Sequence, residues 1–108
     1  MQLTIQPNTQ KNISVELQGE FDALGCREIR LSLEQLVEDF GDRDIELDLN
    51  DVSFIDSSGI GALVFLFKRL RTQGGQVRLV NVQGQPRELI TLLRVDQAMP
   101  VSWANSAA

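Results

Sequence analysis

Apolar and polar residues alternate along three stretches of this chain and repeat at three- and four-residue spacings along others. Leu3 and Ile5 alternate with Gln2, Thr4 and Gln6, which predicts a short strand closed by Pro7. A polar turn at residues 8–12 leads to Ile13, Val15 and Leu17 alternating with Ser14, Glu16 and Gln18, a second strand completing a hairpin. Cys26, Ile29, Leu33, Leu36, Val37 and Phe40 then share one helical face, with Gly41 as the stop. Cys26 falls on that stripe and reads as core filler rather than a reactive thiol.

Ile45, Leu47 and Leu49 make a third strand. A second helix carries Ile60, Leu63, Val64, Phe67 and Leu70, with Lys68, Arg69 and Arg71 in its last turns and Gly74-Gly75 after it. Phe65 and Leu66 widen its apolar surface and read as core rather than interface. Val77 and Leu79 begin a fourth strand, Pro86 opens a third helix over residues 87–94 carrying Leu89, Leu92 and Leu93, and residues 99–103 suit a last strand. Strands that alternate have one wet face, and strand–helix–strand order implies right-handed crossovers. The expected fold is therefore a two-layer α/β domain: a mixed sheet with helices covering one face. Residues 1–104 should form one domain, with a frayed tail at 105–108.

Composition narrows the function. The chain of 108 residues has no histidine and one cysteine. That removes histidine-based nucleophilic arrangements, an intrachain disulfide and an ordinary zinc site. Neither a phosphate-cradling loop nor a Gly-x-Ser-x-Gly elbow is present. Asp48, Asp51 and Asp56 do not converge on one centre, so no metal and no cofactor are expected. A receiver-like phospho-aspartate site is a rival on topology, but it would want an acidic pair after an early strand and a lysine opposite, and the only lysines are Lys11 and Lys68. The net charge of −5 argues against nucleic acid. All of the 15 acids except Glu88 and Asp96 lie in residues 14–56, whereas the charged residues of 57–94 are Lys68, Arg69, Arg71, Arg78, Arg87 and Arg94 against Glu88. That asymmetry could orient a protein partner or be solvated faces alone. No apolar run approaches the roughly 20 residues of a membrane span, and the amino-terminal residues do not resemble a signal segment. A cytoplasmic location is the expectation.

What remains is the strand-to-helix junction Asp56-Ser57-Ser58-Gly59-Ile60-Gly61. Its acid and serines are good helix caps. Its glycines would let another backbone approach, and a phosphate there would meet first-turn N–H groups. The run Asp51-x-Ser-Phe-Ile-Asp-Ser-Ser-Gly-Ile-Gly resembles the signature of STAS domains, specifically bacterial anti-sigma factor antagonists. Gly19-Glu20-Phe21-Asp22 resembles that family's Gly-Glu-x-Asp, and the order of elements agrees over nearly the whole chain.

The resemblance implies a non-enzyme that works by partner switching. Ser57, the first serine after the aspartate, would be phosphorylated by an anti-sigma factor serine kinase and reset by a phosphatase. Asp22 and Asp56 would line that site, and Glu20, Ser58, Gly59, Ile60 and Gly61 would contribute to it or to the partner surface. Either acid could instead be a plain helix cap. The alternative function is a STAS regulatory subunit of a transporter or larger signalling assembly, with Ser57 only a cap.

Overall fold

In this computed structural model, residues 1–7 and 12–104 are described. The expected turn, apart from Asn12, and the expected tail lie outside them. The elements are β1 (Gln2–Pro7), β2 (Asn12–Phe21), α1 (Ala23–Phe40), β3 (Asp44–Ile55), α2 (Ser57–Thr72), β4 (Gln76–Val82), α3 (Gly84–Leu92), α4 (Val95–Ala98) and β5 (Val101–Trp103). They form one sheet in the order β1-β2-β3-β4-β5. β1 pairs antiparallel with β2, and every later pair is parallel. Each parallel step advances one place across the sheet, so right-handed crossovers put all the helices on one side.

The burial pattern agrees. Ile13, Val15, Leu17, Ile45, Leu47, Leu49, Val77 and Leu79 are buried against the helices, with Ile29, Leu33, Leu63 and Leu70 opposite. On the other face Glu16, Glu46 and Asp48 are half-buried and Arg78 is exposed. A weak ion pair at 3.7 Å joins Arg78 to Glu46. Leu47 is 1% exposed, so Leu47→Ala should cost about 2–5 kcal/mol in urea denaturation. A loss under about 0.5 kcal/mol, the range of a surface substitution, would contradict this layering.

Several elements differ from the sequence expectation. β3 runs on to Ile55 rather than ending near Asn50. Its register against β2 slips between Glu16 and Gln18 and again between Gly19 and Glu20. These bulges turn Leu49, Val52 and Ile55, three apart, onto one buried face. Gly41 does end α1, but with φ −65°. It is glycine for lack of space: a Cβ would stand 2.4 Å from the Val37 carbonyl oxygen. α3 begins three residues before the expected helix, and Arg94 (φ 57°) separates it from α4. That phase buries Ile90 and Val95 and leaves Leu92 and Leu93 exposed. Of the pair read as core, Leu66 is buried but Phe65 is 46% exposed, with the Arg69 guanidinium 5.6 Å from its ring centre.

Candidate functional site

Because β2 and β3 are parallel, their carboxyl ends lie side by side, and each feeds directly into a helix. Glu20 is registered against Phe54 and Phe21 against Ile55. The Asp56 N–H donates to the Phe21 carbonyl at 3.3 Å. Two chain segments more than thirty residues apart thereby become one ridge, Glu20 to Asp22 beside Asp56 to Gly61.

Both acids cap. Asp22 has extended backbone, and its carboxylate accepts the Gly25 N–H at 2.8 Å at the start of α1. Asp56 repeats the arrangement for α2, accepting from the N–H of Ser58 at 2.8 Å and of Gly59 at 3.2 Å. Its carbonyl also accepts the Ile60 N–H at 3.0 Å. Ser57 therefore does not cap the helix. It is the first residue of α2, exposed, as is Ser58. The Ser58, Gly59 and Ile60 amides, which the sequence suggested would greet a phosphate, are already engaged by Asp56.

Asp56→Ala should cost about 0.5–2 kcal/mol, while Asp56→Asn, still a capping residue, should recover most of it. Urea melts of the two variants check this, and equal losses would contradict the cap.

The two motif glycines have different surroundings. Gly59 is buried, and a Cβ there would lie 2.3 Å from the Phe21 carbonyl oxygen and 2.6 Å from Ile55 Cγ1. It locks α2 against the end of β2 and is not open to a partner. Gly61 is exposed, with nothing within 4 Å of a would-be Cβ. Ile60 is half-buried against the core, Glu20 is exposed, and Asp22 and Asp56 are half-buried. Cys26 packs against the same core, and its thiol pKa is raised, first by burial and then by the Asp56 and Asp22 charges. The shift favours the protonated thiol.

Sequence reasoning missed Gly25 and Gln85. A Cβ on Gly25 would stand 2.2 Å from the Glu20 carbonyl oxygen, so only glycine permits the tight turn from β2 into α1. Gln85 bonds the backbone of Ile55 through both ends of its amide. Neither residue type nor spacing signals such a role; a glutamine before a helix reads as solvated. Among the described residues, no group of three or more acids or cysteines could hold a metal ion, and no helix is long and apolar enough to cross a membrane.

A one-face-covered mixed sheet with twin aspartate-capped junctions at the carboxyl ends of β2 and β3 is a STAS-type architecture. The STAS domain family model matches residues 1–106, and the chain belongs to that family. It is 30% identical over 93 residues to the anti-sigma-B factor antagonist of Bacillus subtilis (strain 168), covering 86% of this chain and 84% of that protein. An anti-sigma factor antagonist structure from Mycobacterium paratuberculosis superposes with a TM-score of 0.81 at 20% identity, covering 94% of this chain and 84% of that one. The Bacillus cell fate determinant SpoIIAA in its phosphorylated form gives 0.70 at 21% identity, covering 93% and 90%. Within the STAS family, the relatives place this chain among the anti-sigma factor antagonists.

Proposed function

We propose that this chain is an anti-sigma factor antagonist that switches partners through Ser57. Unmodified, it binds an anti-sigma serine kinase and frees the sigma factor that kinase holds. The kinase then transfers the γ-phosphoryl group of ATP to Ser57 Oγ, releasing ADP, with the hydroxyl proton passing to a base on the kinase. The phosphorylated chain leaves, and a phosphatase returns it to the binding form by hydrolysis. The chain is a substrate and a binding partner in this cycle, and carries out no chemistry itself.

One observation carries the reading: the first serine of α2 is exposed and relieved of capping by Asp56. A serine needed for the cap could not be modified without loosening the helix; Ser57 can. The version of the transporter-subunit alternative in which Ser57 only caps α2 loses its physical basis for the same reason. The 30% identity to an anti-sigma-B factor antagonist favours the antagonist reading.

The partner surface follows from what is exposed around Ser57. Glu20, Ser58 and Gly61 are open there, Ile60 is half-open, and Phe65 lies two turns further along α2. Phe65, Ala62, Leu33 and Cys26 line a shallow groove of 390 Å³ between α1 and α2, rimmed by Arg27, Arg30 and Glu34. Added to a preformed complex of an anti-sigma kinase with its sigma factor, the unmodified chain should release sigma in proportion to the chain added. A complex that stays intact in excess chain would count against the proposal.

A further inference from the structure

β3 outruns its neighbour on one side. Its pairing with β4 stops at Asp48 and Val80, and the left-handed Asn81 (φ 57°) then bends β4 away. On its other side β3 keeps β2 as far as Ile55. Backbone N–H and C=O groups buried without partners are costly, and Ile55 is 0% exposed. Two glutamine side chains at the start of α3 stand in for the missing strand. Gln83 Nε2 donates to the Asn50 carbonyl at 2.9 Å and to its Oδ1 at 3.2 Å. Gln85 Oε1 accepts the Ile55 N–H at 2.8 Å, and its Nε2 donates to the Ile55 carbonyl at 2.8 Å. An amide side chain offers one acceptor and a donor side by side, as a peptide group does.

The residue so held is the one before Asp56. From the β2 side, the Asp56 N–H donates to the Phe21 carbonyl at 3.3 Å. Asp56 must keep its extended backbone (φ −120°) for its carboxylate to reach the Ser58 and Gly59 amides, and that cap sets where α2 and Ser57 begin. α3 is itself anchored by the buried Pro86 and Ile90.

We propose that Gln85 is a positioning residue for the phosphoacceptor: it clamps the Ile55 peptide from α3 and so fixes the Asp56–Ser57 junction for in-line attack on ATP. Its kinetic consequence rests on the reading of Ser57 above. The effect belongs to the transfer step, because Gln85 is half-buried with both ends of its amide engaged by the Ile55 backbone.

The test compares Gln85→Met, similar in length but without the amide, with Gln85→Glu, which keeps the acceptor but sets a carboxylate against the Ile55 carbonyl. Gln83→Met is the control, removing bonds to β3 at Asn50, away from the junction. Each is assayed at a temperature where it is fully folded, with an anti-sigma serine kinase that binds the wild-type chain, and ATP. Both Gln85 variants should lower kcat for phosphate transfer by roughly tenfold, the scale of a small misplacement of a reacting atom, with KM for the chain unchanged. Gln83→Met should change neither. Amide exchange should quicken at residues 55–60 in the Gln85 variants while the β2 core keeps its protection. An unchanged kcat, an equal fall in Gln83→Met, or exchange that quickens uniformly with lost stability would each overturn the proposal. Were the wild-type chain to accept no phosphate, the Ser57 reading would fall by itself. Exchange then decides the clamp: quickening confined to residues 55–60 upholds it, and none removes it.

Discussion

Phosphorylation of Ser57 should weaken binding to the anti-sigma kinase by about 4 kcal/mol, roughly a thousandfold. The phosphate brings about −1.5 to −2 charge to a residue adjoining the Asp56 carboxylate, with the Asp22 carboxylate acting on the same neighbourhood. A helix amino terminus ordinarily welcomes an anion. Here the amides of Ser58 and Gly59 are already bonded to Asp56. The phosphate can claim them only by displacing a carboxylate, so its charge stays uncompensated and must be desolvated on binding. Ser57→Asp should weaken binding in the same direction but less, because one carboxylate carries less charge. Ser57→Ala should keep full affinity. Since Ser57 makes no cap bond, neither variant should move stability by more than about 0.5 kcal/mol. Calorimetric titration of kinase with the three forms and urea melts of the variants check this together. Equal affinity for Ser57→Ala and Ser57→Asp would contradict it.

Alanine at the two motif glycines should have opposite effects. Gly59→Ala forces a methyl group against the Phe21 carbonyl and the Ile55 side chain. Neither can yield without moving the end of β2 or the core, so a loss of about 3 kcal/mol or more is expected. Gly61→Ala meets open space inside a helix and should gain up to about 1 kcal/mol. The stabilised Gly61→Ala protein should nevertheless bind the kinase less well, because bare backbone beside Ser57 is what a close-packed partner would use. Thermal melts and kinase titrations on the pair decide it. A Gly61→Ala variant with raised stability and unaltered affinity would take Gly61 out of the partner surface.

Much of the fold was legible because most strands follow one simple period. Ile13, Val15 and Leu17, and Ile45, Leu47 and Leu49, alternate without interruption, so their buried face and the uncovered face opposite could both be read. Legibility failed where backbone irregularity breaks the period. Leu49, Val52 and Ile55 are spaced by three through two slips of register, which hid the second half of β3. The left-handed Asn81 similarly shifts Leu79 to Val82. Gly84, with φ 62°, starts α3 earlier than Pro86 suggests and so turns Leu92 and Leu93 outward.

The candidate site stands out in the sequence for a different reason: Asp56 to Gly61 are contiguous, so they can be singled out without a fold. Asp22 came only through the resemblance, since nothing local says that the ends of β2 and β3 are neighbours. Roles within the run were not legible. Asp56, Ser57 and Ser58 are all good capping residues, and only geometry gives the cap to Asp56. Gly59 and Gly61 look alike in sequence but differ in what surrounds them. Gln85 acts through a strand edge left open by the departure of β4, a feature of three elements at once.

The most direct test of the central claim is where phosphate goes. The wild-type chain is incubated with an anti-sigma serine kinase that binds it and with ATP, and the modified residue is mapped by tandem mass spectrometry. One phosphate per chain, on Ser57, is the expected result. Phosphate on Ser58, or none on a chain the kinase demonstrably binds, would contradict the account.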